Sequence, residues 1–191
     1  MASDIQLLPQ LQSVRPDEMQ EYFLKTERIG FRTWSRSDLP LANDLWGDVD
    51  VGSYIGGPLS PEQVRERLAR EIECMQLHKV QYWPIFLLNG DVHVGCCGLR
   101  PHDLGRLVYE LGFHIRKQFW GQGITTEAAR GVCRWASENL HTAGLFAGHH
   151  PQNQASKAVL QKLGFVFTHE EPYGPTGLLH PSYFLSLRNE Q

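Results

Sequence analysis

No hydrophobic run in this chain approaches the roughly 20 residues that a membrane-crossing helix needs. The early cluster Ile5, Leu7, Leu8 and Leu11 is interrupted by Asp4, Gln6, Pro9 and Gln10, so neither a span nor a signal peptide is expected. One-sided charge is also missing. The 21 acidic and 18 basic side chains are mixed along 191 residues for a formal charge of -3, which lays out no basic stripe for a phosphate backbone and argues against nucleic acid as a partner. Cysteine is sparse: Cys74, Cys96, Cys97 and Cys133 lack the spacing of zinc ligands, and Cys96 and Cys97, adjacent on a strand, point to opposite faces. Reduced thiols in a cytoplasmic protein, with no metal and no membrane partner, are the expectation. Repeats and low-complexity tracts are absent too.

What is present suits one compact domain, since 191 residues with 41% hydrophobic content can bury a substantial core. A Gln-rich lead-in from Met1 to about Met19 reads as an extension, followed by a short helix from Pro16 to near Lys25. "RIGFRTW" reads as a first strand and "SDLP" as the opening of a loop-rich helical region carrying Trp46. Ser60, Pro61 and Gln63 form a capping box with proline at the first helical position, and Val64, Leu68, Ile72 and Met75 continue that helix to about His78. "YWPIFLL", "NGD" and "VHVGCCGLR" read as an antiparallel hairpin whose Asn-Gly supplies positive φ angles, and "PHDLGR" as the next turn. A strand from Tyr109 to Ile115 alternates so that Glu110 and His114 share a face; a helix marked by Ala128 to Leu140 follows, then the strand "AGLFAGHHP". A helix capped by Asn153 stops at Gly164, and two strands separated by the loop "PYGPTGLLHP" close the chain. The order is mixed α/β, with at least one parallel crossover and antiparallel pairs besides.

The junction "QFWGQGITTE" places Gly121 and Gly123 at a strand-to-helix turn, with Thr125 and Thr126 in the first helical turn. The first N–H groups of a helix have no internal partner, and the macrodipole adds about half a positive charge there, so the site suits a phosphate or pyrophosphate. A tight turn with no ligand would use the same glycines. A dinucleotide fingerprint needs a glycine where Thr126 stands, and a nucleoside-triphosphate loop needs Gly-Lys-Ser/Thr, which is missing.

Gln118, Gly121 and Gly123 resemble the Q/R-x-x-G-x-G/A acyl-CoA motif of the GNAT superfamily of N-acetyltransferases. Glu127-Ala128-Ala129 resembles the family's "tEA" helix start, "PQNQASKAVLQKLGF" its asparagine- and serine-bearing segment, and "TERIGFRTWSRSDLP" its opening. The similarity runs from about Thr26 to Arg188, which would leave residues 1–25 as an N-terminal extension and 26–191 as the acetyltransferase domain. Within the superfamily the pattern is most similar to the branch containing the ribosomal-protein alanine N-terminal acetyltransferases. The resemblance implies a GNAT fold: a mixed, mostly antiparallel sheet splayed between its fourth and fifth strands and flanked by helices. It also implies acetyl-CoA as co-substrate, an amine-bearing acceptor, and a monomer or homodimer.

Carried onto this chain, the resemblance assigns the backbone of Phe113, His114 and Ile115 to the pantetheine amides. Gln118, Phe119, Trp120, Gly121, Gln122, Gly123, Ile124, Thr125 and Thr126 would cradle the pyrophosphate, with Arg116 and Lys117 adding charge. Asn153 and Ser156 would face the pantetheine and thioester, and Lys157 the nucleotide. Asn153 would equally cap a helix in any protein, and Ser156 and Lys157 could be ordinary first-turn residues. Glu110 is the expected base for the acceptor amine, a solvated strand-edge carboxylate being the bland alternative, and His114 is a second candidate through a water. Many family members carry a tyrosine as acid where this chain has Leu160, which leaves Ser156 or solvent to protonate the thiolate and leaves open a non-catalytic acyl-CoA-binding module. His149 and His150, adjacent on a strand, point oppositely and do not suggest a metal. The expected function is acetyl transfer to a primary amine, a protein N-terminus or a small molecule, by direct attack in a ternary complex.

Overall fold

The computed structural model of the chain describes residues 21–187. Its strands and helices are β1 (Leu24–Lys25), β2 (Ile29–Phe31), α1 (Leu39–Trp46), α2 (Val49–Gly52), α3 (Pro61–His78), β3 (Tyr82–Leu87), β4 (Val92–Asp103), β5 (Val108–Ile115), α4 (Ile124–Asn139), β6 (Gly144–Gly148), α5 (Gln154–Lys162), β7 (Val166–Tyr173) and β8 (Leu178–Ser186). The strands form one sheet in the order β1-β2-β3-β4-β5-β6-β8-β7. Every neighbour is antiparallel except β5 and β6, which α4 joins as the expected parallel crossover.

Local chemistry explains the element ends. Ser60 Oγ accepts from the Gln63 N–H while Gln63 Oε1 accepts from the Ser60 N–H, and Lys79 closes α3 in the left-handed region at φ 60°. In the β3–β4 hairpin, Gly90 (φ 85°) and Asp91 (φ 51°) take the positive angles, one residue later than Asn-Gly predicts.

Strand alternation sorts the side chains into two layers. Trp34, Leu45, Trp46, Val64, Leu68, Tyr82 and Cys96 pack on the face covered by α1 and α3. Leu111, Ile115, Ile124, Ala128, Val132, Leu145, Leu160 and Cys97 pack on the face covered by α4 and α5. Cys96 and Cys97 therefore part as expected.

Three expectations need correction. The helix from Pro16 to Lys25 lies outside the described residues up to residue 20, and Leu24–Lys25 is a strand paired with Phe31 and Gly30, extending the sheet edge. The "PHDLGR" turn is strand as far as Asp103, carried through Pro101 by a register shift between Pro101 and Asp103. The ten-residue closing loop shrinks to residues 174–177. Pro175 lies in that loop, Pro172 lies on the edge strand and Pro181 lies just beyond the last β6–β8 pair, Gly148↔Ser182, so none of the three removes an interior ladder bond.

Candidate active site

The pairing of β5 with β6 covers three rungs, Val108↔Gly144, Tyr109↔Leu145 and Glu110↔Phe146, and then stops. Beyond it β5 stays paired to β4 through Ile115, while Ala147 and Gly148 keep only the pairing to β8 that runs along the whole of β6. The two strands part like a V directly after Glu110. Counted from β2 these are the fourth and fifth strands; the short β1 adds one to the count.

At the open end of β5 the chain makes a 3₁₀ turn, Lys117–Phe119, and enters α4 through Gly121 (φ 73°) and Gly123 (φ 77°). Gly123 is the N-cap, so no side chain blocks the first N–H groups, and a Cβ built on Gly121 would meet nothing within 4 Å. The helix start therefore stands open to an anion. Glu127 fixes it in place: Oε1 accepts from Thr26 Oγ1 (2.6 Å) and the Arg28 N–H (2.8 Å), and Oε2 accepts from Arg28 Nε (2.6 Å). Burial pushes the Glu127 carboxyl up, but these donors outweigh it and hold the group below its ordinary range. Arg28 also donates to the Gln122 carbonyl (3.1 Å), tying the glycine turn to β2.

On the α1/α3 face, Glu110 lies opposite Arg100 on β4 and Phe146 on β6, all three pointing the same way because paired residues share a face. Gly112 follows, and a Cβ there would overlap the Tyr82 ring, so glycine is what lets Tyr82 lie flat against β5. The Arg100 guanidinium stacks over Tyr82 at 4.3 Å and bonds Glu71. Glu71, fully buried on α3, also accepts from Arg67 Nε (3.0 Å) and the Tyr82 N–H (3.0 Å). Burial disfavours the Arg100 charge, but Glu71 more than restores it. Burial, reinforced by Glu110, keeps the Tyr82 phenol protonated.

His114 is held between Trp46, Tyr82 and Cys96, with part of the residue still reaching solvent. The Trp46 indole N–H donates to Nδ1 (3.1 Å), which puts the imidazole proton on Nε2. Burial and the charges of Arg67 and Arg100 depress its pKa well below the ordinary value, so its second ring nitrogen is a donor rather than a base. Burial also lifts the Cys96 thiol to about 12, which leaves no thiolate nucleophile there.

A family model described as an acetyltransferase (GNAT) domain matches residues 28–166. The chain belongs to the GNAT acetyltransferase family. It is similar to the uncharacterized N-acetyltransferase p20 of Bacillus licheniformis, 24% identical over 144 residues that cover 74% of this chain and 81% of that one. Its fold is that of RimL, a ribosomal L7/L12 alpha-N-protein acetyltransferase solved in complex with coenzyme A, at a TM-score of 0.75 and 17% identity over 87% of this chain and 98% of that one. It is equally that of the ribosomal-protein-S5-alanine acetyltransferase of Vibrio fischeri, at a TM-score of 0.73 and 18% identity over 87% and 97%.

Around this acetyltransferase's splay, several anticipated side chains are engaged elsewhere. Arg116 donates to the His93 carbonyl (3.2 Å) and Lys117 pairs with Asp50 (2.9 Å), so neither charge is turned to the glycine loop. Phe119 is in the core, Trp120 Nε1 donates to the Ile115 carbonyl (2.7 Å), and the Gln118 carbonyl accepts from Gln122 Nε2 (2.8 Å). Thr125 and Thr126 are half-buried in the first turn. Asn153 Oδ1 accepts from the Ser156 N–H (2.9 Å), as a helix cap does, and the Ser156 side chain is half-buried. Lys157 lines an open groove of about 500 Å³ between α5 and the β7–β8 hairpin, with His149, Phe167, Glu170 and Tyr183. Leu160 is 1% exposed within the α4/α5 core, so a tyrosine there would overfill it. His149 Nδ1 contacts the His150 carbonyl (2.8 Å), and His150 packs on Tyr54 and His180.

Sequence reasoning missed Glu71, Arg100, Tyr82 and Phe146, which register and α3 bring around Glu110. Only Arg67 and Glu71 left a trace, as an i, i+4 ion pair on a helix whose neighbouring face is apolar.

Proposed function

We propose that the chain moves the acetyl group of acetyl-CoA onto a primary amine by direct attack within one ternary complex. The observation that carries this reading is the end of β5–β6 pairing immediately after Glu110, on the same strand that runs into a helix start opened by two positive-φ glycines. A thioester arm laid in the V, with its pyrophosphate at α4, brings its carbonyl carbon toward Glu110.

In this reading the backbone of Phe113, His114 and Ile115 holds the pantetheine amides, and the N–H groups from Gly121 to Thr126 hold the pyrophosphate. Glu110 takes a proton from the ammonium form of the acceptor, and the neutral amine then attacks as the new C–N bond forms and the C–S bond breaks, the nitrogen's remaining extra proton passing to solvent. The sulfur leaves as a thiolate and takes a proton from Ser156 or from solvent; a thiol pKa of about 8.5 makes this a modest requirement. Arg100, fixed by Glu71 and Tyr82, holds a positive charge at the register position opposite Glu110. The acceptor is either a small amine or a protein N-terminus. Release of free thiol from acetyl-CoA, measured across a panel of amines, tests the reading. Amine-dependent release supports it, whereas binding of acetyl-CoA with no release for any amine would return the chain to a non-catalytic acyl-CoA module.

A further inference from the structure

Antiparallel β4 and β5 pair regularly from Gly95↔Ile115 to Pro101↔Tyr109, and the next pair is Asp103↔Val108. His102 is the extra residue, and a bulge of this kind re-aims a side chain. Here it sends the imidazole past β5 onto Phe146 of β6, stacked with ring centroids 3.9 Å apart and planes 8° from parallel. Phe146 is the register partner of Glu110 at the last rung before the splay, so their Cα atoms are one strand spacing apart, about 4.8 Å, on the same face. Phe146 is 8% exposed, whereas His102 is an exposed residue.

We propose that His102 contacts the acceptor, its flat outer face forming the wall of the amine site beside Glu110 and selecting amines that carry an aromatic ring close to the nitrogen. This rests on the reading of Glu110 as the place where the amine meets the thioester. A stack built on a buried ring keeps the imidazole plane fixed without a hydrogen bond, and a planar substituent laid against it gains the offset or edge contact that aromatic pairs favour. The chain orders that platform before the acceptor arrives, through the bulge and Phe146 together.

The test is steady-state kinetics of the full chain with acetyl-CoA and three amines: an arylalkylamine, a straight aliphatic amine of similar length, and an alanine-led peptide. The parent is expected to prefer the arylalkylamine. His102→Ala should raise the KM for that amine by about three- to tenfold, the worth of one aromatic contact, and leave the KM for acetyl-CoA unchanged. His102→Phe, which keeps the ring and loses the ring nitrogens, should restore the parent value to within about twofold. Preference for the peptide or the aliphatic amine, an unchanged acceptor KM in His102→Ala, or a kcat loss that His102→Phe fails to restore would each overturn the proposal while leaving acetyl transfer intact. A parent that acetylates none of the amines would overturn both readings.

Discussion

Replacing Glu127 by glutamine tests how the anion site is held together, because the amide can keep only part of what the carboxylate does. Its oxygen can take the place of Oε1 and still accept from Thr26 Oγ1 and the Arg28 N–H. Its NH2 must then face Arg28 Nε, where Oε2 now accepts at 2.6 Å, so one charge-assisted bond becomes two opposed donors. Such bonds contribute about 1.5–3 kcal/mol when buried, and with the Arg28 side chain 46% exposed we discount this to about 1–1.5 kcal/mol. For a chain of this size that is a fall in Tm of about 2–6 °C, readable by calorimetry at pH 7. Freed from Glu127, Arg28 also loosens its hold on the Gln122 carbonyl, so protection by acetyl-CoA should weaken in parallel. The sign of the pH dependence follows from the lowered carboxyl pKa. The stabilisation is present above the ordinary glutamate value of 4.5 and is lost as pH falls through the lower folded value, so parent and variant should converge in acid. Equal Tm values at pH 7, or a gap that stays constant into strong acid, would refute this account.

Two further outcomes follow from the same structure. Gly121→Glu places a negative side chain at φ 73° where a Cβ has open space, so the fold should survive with a cost of about 1–2 kcal/mol. The protection of about 2.7 kcal/mol that a ligand gives at a hundred times its Kd should then disappear for acetyl-CoA, as a thermal-shift titration would reveal; full retention would remove the pyrophosphate from this turn. His93 lies against Phe86 and Trp34, and burial, with Arg116 adding to it, lowers its pKa from 6.5 to about 4. The unfolded chain therefore binds this proton first, and stability falls as pH drops from 6.5 toward 4 by about 3 kcal/mol. Denaturant titrations of His93→Phe should show a shallower loss over that window, and an identical slope would acquit His93.

Much of the local geometry around the candidate site could be read before any fold was known, because it is built from local chemistry. The capping box at Ser60 and Gln63, the alternation that puts Glu110 and His114 on one face, and the glycines at 121 and 123 are all consequences of neighbours within a few residues. What escaped depends on partners far along the chain. Lys117 looks free until α2 brings Asp50 beside it, and Arg100 acquires meaning only from its register with Glu110 and from a carboxylate on α3. At Leu160 the family resemblance suggests a tyrosine facing the cleft, and only packing against α4 and the sheet reveals that this position points inward. His102 was hidden for a different reason: a proline and a short polar run resemble a turn, and the bulge that re-aims the imidazole comes from tertiary pairing.

The central claim is that Glu110 generates the neutral amine at the mouth of the splay. Turnover of parent and Glu110→Gln should be followed from pH 6 to pH 10 with the best amine of the panel, acetyl-CoA binding being checked in both. The account predicts unchanged binding, a loss of about 100-fold near neutral pH, and a loss that shrinks as pH approaches the pKa of the amine, where solvent supplies the neutral nucleophile. Superimposable profiles for the two proteins would contradict it.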